Sequence, residues 1–119
     1  MNIETSINIP DKLFRKNSID IEVHVNVDLS DYKIHAELFD RFYSSLKYNT
    51  ENNGGSEDEI ELVDDGKDGD FIIHIVAHTT DLFHLISYLE IILIDEEDKE
   101  FTAYFSVIKF QDDIFMRTV

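Results

Sequence analysis

Residues 63–70 read VDDGKDGD, four aspartates and two glycines in eight positions. Carboxylates at that density are hard oxygen donors, so Asp64, Asp68 and Asp70 form a candidate cation site between strand ends. The helix-loop-helix calcium pattern is not met. Counted from Asp64, its third position is Gly66 and its twelfth is Ile75, where oxygen ligands are required. Glycines set between acids also suit a tight reversal, because Gly and Asp tolerate positive φ. The stretch is therefore read as a turn that reverses the chain, with the three aspartates as its only metal candidates.

The five histidines are the next groups with chemistry: His24, His35, His74, His78 and His84. On a strand, His74 and His78 would lie roughly 13 Å apart, too far to share one ion. His24 and His35 are expected as cross-strand neighbours on the solvated face of a first hairpin, and two imidazoles fall short of a zinc set. The absence of Cys removes thiol nucleophiles, disulfides and cysteine zinc sites. No serine sits in a nucleophile elbow, no glycine-rich phosphate loop occurs, and no carboxylate pair lies in an evidently apolar stretch that would separate two pKa values. These residues predict no catalytic group and no cofactor, hence a binding or structural protein.

The elements that must carry these residues are strands. In IDIEVHVNVDL (19–29) Ile19, Ile21, Val23, Val25, Val27 and Leu29 alternate with polar residues, the period of a half-buried strand. Tyr32, Ile34, Ala36 and Leu38 continue the alternation after Ser30-Asp31, which predicts an antiparallel hairpin of 19–29 with 32–38. Ile3, Thr5, Ile7 and Ile9 predict an edge strand that Pro10 stops. FDRFYSSLKY (39–48) fits a helix or a strand and is read as strand; 49–59 is an acidic, polar loop, and a short strand follows at 60–63. DFIIHIVAH is another strand. YLEIILI, the turn at 95–98 and FTAYFSVIKF make a last hairpin, with Phe101, Ala103, Phe105 and Val107 on one face and Thr102, Tyr104 and Ser106 on the other. About seven short strands with little helix predict an all-β, immunoglobulin-like antiparallel β-sandwich, one domain over 1–119 with a short tail at 111–119.

Composition narrows the partners. A net charge of −16, from 26 acids against 10 bases, opposes binding to nucleic acid or to anionic membranes. The longest apolar run, LISYLEIILI, contains Glu90 and is shorter than the roughly 20 residues of a membrane helix. MNIETSINIPDK has no basic start followed by an apolar stretch, so it is not read as a signal peptide. Mimicry of nucleic acid would need the acids in a stripe, whereas many lie in two turns and one loop. Two strands are apolar on both sides: Phe71, Ile73 and Ile75 oppose Ile72 and Val76, and Leu89, Ile91 and Leu93 oppose Tyr88, Ile92 and Ile94. Each outer set needs a cover, either from 39–48 or from another protein. The expected protein interface is therefore Ile72, Val76, Tyr88, Ile92 and Ile94, joined by Ile114, Phe115 and Met116 of the tail.

Three stretches, DYKIHAELFDR (31–41), DGDFIIHIVAHTTDLF (68–83) and SYLEIILIDEEDKEFTAYFSVIKFQDD (87–113), resemble the immunoglobulin-like N-terminal domains of bacteriophage baseplate and tail-fibre proteins. Tyr32, Ile34 and Ala36 match the first pattern of those domains; Gly69, Phe71, Ile73, Ile75 and Thr80 match the second; and Tyr88, Ile92, Ile94, Asp95, Phe105 and Val107 match the third. Asp98 or Lys99 stands where the family's hairpin glycine falls, and Ala103 replaces a second glycine. Those domains commonly lead into a fibre or receptor-binding region, whereas this sequence stops at Val119. The resemblance implies a small structural or adaptor component of the virion, made in the host cytoplasm. It would attach in several copies on a symmetric assembly to larger tail, baseplate or neck proteins. A free acidic inhibitor or nucleic-acid mimic of a host factor is the alternative.

Overall fold

The computed structural model describes residues 3–10, 13–14, 17–40, 45–50, 59–76 and 86–111. These form nine strands: β1 (Thr5–Asn8), β2 (Leu13–Phe14), β3 (Ile19–Val25), β4 (Lys33–Asp40), β5 (Ser45–Asn49), β6 (Glu59–Leu62), β7 (Asp70–Ile75), β8 (Ile86–Ile94) and β9 (Glu100–Gln111). They assemble into two sheets, ordered β1-β3-β7-β6 and β2-β9-β8-β4-β5. All pairings are antiparallel except the two-residue β2, which runs parallel to β9. The molecule is thus a β-sandwich. Matching β1, β3, β7 and β6 to strands A, B, E and D, and β4, β8 and β9 to C, F and G, reproduces the immunoglobulin order.

The core follows from alternation. Ile19, Ile21, Val23 and Val25 of β3 face Ile34, Ala36 and Leu38 of β4 and Leu89, Ile91 and Leu93 of β8 across the sandwich, with Phe71, Ile73 and Ile75 of β7 completing the layer. Pro10 lies between β1 and β2, where the chain leaves one sheet for the other. It cannot donate to a ladder, so the edge strand ends there, as its position predicts.

Two expectations are corrected. β3 and β4 are not hairpin partners: β3 pairs with β1 and β7, while β4 pairs with β5 and β8, so residues 26–32 carry the chain from one sheet to the other. Leu29 is fully buried in this crossing, and its N–H donates to the Gly66 carbonyl at 2.8 Å. In the final hairpin the register shifts between Ile91, opposite Tyr104, and Ile92, opposite Thr102, which leaves Ala103 as a bulge. The extra residue reverses the facing of β9. Phe105 and Val107 therefore point outward, and Tyr104, Ile108 and Phe110 pack inward.

The turns obey the chemistry of their residues. VDDGKDGD joins β6 to β7, with Asp64, Asp65, Gly66 and Gly69 all at positive φ. The Gly69 carbonyl accepts the Val25 N–H at 2.8 Å and ties the turn to the end of β3. Asp98, at φ 62, takes the left-handed position between β8 and β9, one that aspartate tolerates better than most non-glycine residues. Asp95 holds that turn by accepting the N–H groups of Glu97 and Lys99 at 2.8 and 2.9 Å. Residues 45–49 join the sheet as edge strand β5 rather than lying over its outer face as a cover.

Candidate functional site

The two outer faces of the sandwich differ in kind. On the four-stranded sheet, β3, β7 and β6 bring acids and histidines into register: His24 stands opposite Asp70, and His74 lies between Asp20 and Glu59. His24 Nδ1 lies 2.7 Å from an Asp70 oxygen. His74 is bonded on both ring nitrogens, Nδ1 to Asp20 and Nε2 to Glu61, each at 2.8 Å. Partial burial disfavours its cation, but the bonds to Glu61 and Asp20 outweigh that and raise its pKa above the usual 6.5.

A raised folded pKa means stabilisation fully present below about pH 6.5, where the unfolded histidine is also protonated, and lost as pH rises through the folded value. Asp20 and Glu61 are mostly exposed, so the contribution is at most about 1 kcal/mol. We expect urea midpoints of the parent and His74→Gln to differ most at pH 5.5 and to converge towards pH 8. A difference independent of pH would contradict the bidentate pairing.

This face has a shallow, open depression of about 450 Å³ lined by Ser6, Asn8, Glu22, His24, Asp70 and Ile72. Ser6 stands opposite His24, so one row across three strands runs Ser6, His24, Asp70. Among the described residues no hydrogen bond joins Ser6 to His24, and the imidazole and its carboxylate are 53% and 44% exposed. The row lacks the nucleophile–base contact of a triad. Asp70 is engaged by His24, and no group of three His, Asp or Glu side chains among the described residues is placed to hold a metal ion; Asp64, Asp68 and Asp70 do not converge on one. His24 and His35, expected as neighbours, lie on opposite outer faces because their strands belong to different sheets. His78 and His84 lie outside the described residues.

The five-stranded sheet presents apolar rings. Phe39 of β4 and Tyr88 of β8 are cross-strand partners, and Val107 of β9 stands opposite Tyr88. In the next row Glu37, Glu90 and Phe105 line up across the same strands. The Phe105 ring leans over this row: its centroid lies 6.0 Å from Tyr88 and 6.4 Å from Phe39, and Phe39 and Tyr88 stack at 5.5 Å. Phe105, Val107 and Ile86 remain 55%, 46% and 42% exposed, and all three lie on this face. Ile92 and Ile94 extend the apolar line along β8, half-buried.

The expected interface is thereby divided. Tyr88, Ile92 and Ile94 share the ring-bearing face, whereas Ile72 belongs to the opposite sheet, flanked by Glu22 and Glu61, and Val76 follows the end of its strand β7. Ile114, Phe115 and Met116 lie outside the described residues. Phe39, Phe105 and Ile86 were not expected there. A phase conflict was the available signal, because Phe101 and the pair Ile108 and Phe110 can all face the core only if one residue between them is bulged out. No family model matches the chain, and no curated protein matches it. Among the described residues no helix is long and apolar enough to cross a membrane.

Proposed function

We propose that the chain is a non-enzymatic docking module, a structural or adaptor component of a bacteriophage particle. It attaches to larger tail, baseplate or neck proteins through the outer face of the five-stranded sheet, in several copies around a symmetric assembly. The observation that carries this reading is the stacked cluster of Phe39, Tyr88 and Phe105 with Val107 and Ile86 beside it. Contiguous exposed rings are costly in water and are the usual anchors of protein interfaces. The family pattern at Tyr88, Phe105 and Val107 supports the choice of particle.

Mass spectrometry of purified particles is expected to find the parent chain, and its absence would sink the virion reading. Phe105→Ala is expected to lower incorporation at least about tenfold, as loss of a central aromatic anchor does. A second reading, a free acidic mimic of nucleic acid, draws on Asp20, Glu22, Glu59, Glu61 and Asp70 sharing the other face. Salt-sensitive competition with DNA for a basic partner, untouched by Phe105→Ala, would favour it.

A further inference from the structure

We infer that the ring-bearing face takes a basic partner, specifically a protein surface that presents an arginine among apolar side chains. Its guanidinium stacks on Phe39, Tyr88 and Phe105 and pairs with Glu90. This rests on the docking reading above and names the chemistry of the partner.

The argument begins with Glu90. It stands directly opposite Glu37 on one side and Phe105 on the other, half-buried at the foot of the rings. Like charges directly opposed on neighbouring strands destabilise a sheet. Glu37 has Lys47 opposite it on β5 and His35 Nε2 at 3.7 Å, whereas the Glu90 carboxylate makes no hydrogen bond or ion pair among the described residues. A carboxylate left in this position is a poor choice for the free sheet and a good one for a surface that receives a cation. The rings add to the preference, since their faces carry negative potential and attract a cation placed over them.

Arginine fits both elements at once. Its plane stacks on aromatic faces while its fork meets a carboxylate, and it sheds water more readily than lysine. Neighbouring rows on one face lie roughly 7 Å apart along the strand, within the reach of a guanidinium and its stem from Tyr88 to Glu90. Alternative occupants fit less well. An acidic partner meets a chain of net charge −16, and a second copy carries that same net charge.

The test uses the full chain and capped hexapeptides of alternating leucine and arginine, with a matched peptide carrying citrulline, the neutral isostere. In a ¹⁵N NMR titration we expect the arginine peptide to shift the resonances of Phe39, Tyr88, Glu90 and Phe105. Glu90→Gln and Phe105→Ala should each weaken it at least tenfold, and the citrulline peptide should bind at least tenfold more weakly. Glu90→Gln should melt no lower than the parent, because it removes a like-charge contact. No shifts at this face, shifts confined to the acidic turns, or equal binding of the citrulline peptide would each overturn the inference. Particle incorporation separates it from the reading beneath it. Incorporation lost in Phe105→Ala yet kept in Glu90→Gln refutes the arginine and retains the docking face; incorporation kept in both refutes the docking face as well.

Discussion

Gly69→Ala is expected to destabilise the domain by roughly 3–5 kcal/mol, the sum of left-handed strain at a non-glycine residue and of forced overlap. Gly69 has φ 82, and a Cβ there would overlap the Val25 carbonyl oxygen and lie 2.8 Å from that of Val27. Both obstacles are backbone atoms, one at the end of β3 and one just past it, so neither can rotate away. The substitution would also disturb the bond from Val25 N–H to the Gly69 carbonyl, which joins the turn to the central strand. Gly66→Ala is the internal control. Its φ is 78, and the added Cβ would meet the Leu29 Cβ at 3.0 Å and Leu62 Cδ2 at 3.3 Å, tight contacts but no overlap with a backbone oxygen. The expected cost is smaller, about 1–2 kcal/mol of left-handed strain plus the crowding against Leu29. Urea unfolding of the three proteins decides the matter, and equal midpoints for the two variants would show that the turn is not wedged against β3.

That glycine also shows why some of the molecule was legible in the chain and some was not. VDDGKDGD could be read as a reversal because residue identity encodes positive φ, a local property. The edge strand before Pro10 and the alternations of β3, β4 and β8 were likewise local, and they placed Ile21, Ile34, Leu89 and Ile91 in the core without knowledge of strand partners. Partner choice is different in kind. The alternations at 19–29 and 32–38 suit a hairpin as well as they suit two strands in opposite sheets. What decides is the burial of Leu29 and its bond to Gly66, a contact between segments far apart in the chain. The bulge at Ala103 had the same effect on a smaller scale. One inserted residue put Phe105 and Val107 on the opposite face from Phe101, with which the alternation had grouped them, and with them went the centre of the candidate site.

The division between the two outer faces follows from how each satisfies its polar groups. On the four-stranded sheet, histidines stand between carboxylates, so much of the charge is paired within the face. Its one large apolar residue in those rows, Ile72, is fenced by Glu22 and Glu61. On the five-stranded sheet the apolar side chains are neighbours, stacked on one another yet still open to water. A strand that is apolar on both sides therefore does not by itself make an exposed apolar patch. What matters is whether its outward residues meet others of the same kind across the ladder, which β8 does and β7 does not.

Phe71 and Phe105 turn this distinction into numbers. Phe71 is 1% exposed on β7, inside the sandwich, and Phe71→Ala is expected to cost about 3–5 kcal/mol through lost burial and the cavity it leaves. Against a total stability of roughly 5–15 kcal/mol for a domain of this size, that loss alone brings the midpoint of unfolding down sharply. Phe105 is an aromatic of the same size, 55% exposed and stacked on Tyr88, so Phe105→Ala should cost no more than about 1 kcal/mol. Urea unfolding with both variants in parallel measures the contrast. If Phe105→Ala proves as damaging as Phe71→Ala, the ring cluster is a second core that the fold itself requires, and its exposure no longer argues for a partner. If the costs separate as expected, the isolated fold gains little from a large aromatic ring at this position, which is what the proposed docking role requires of it.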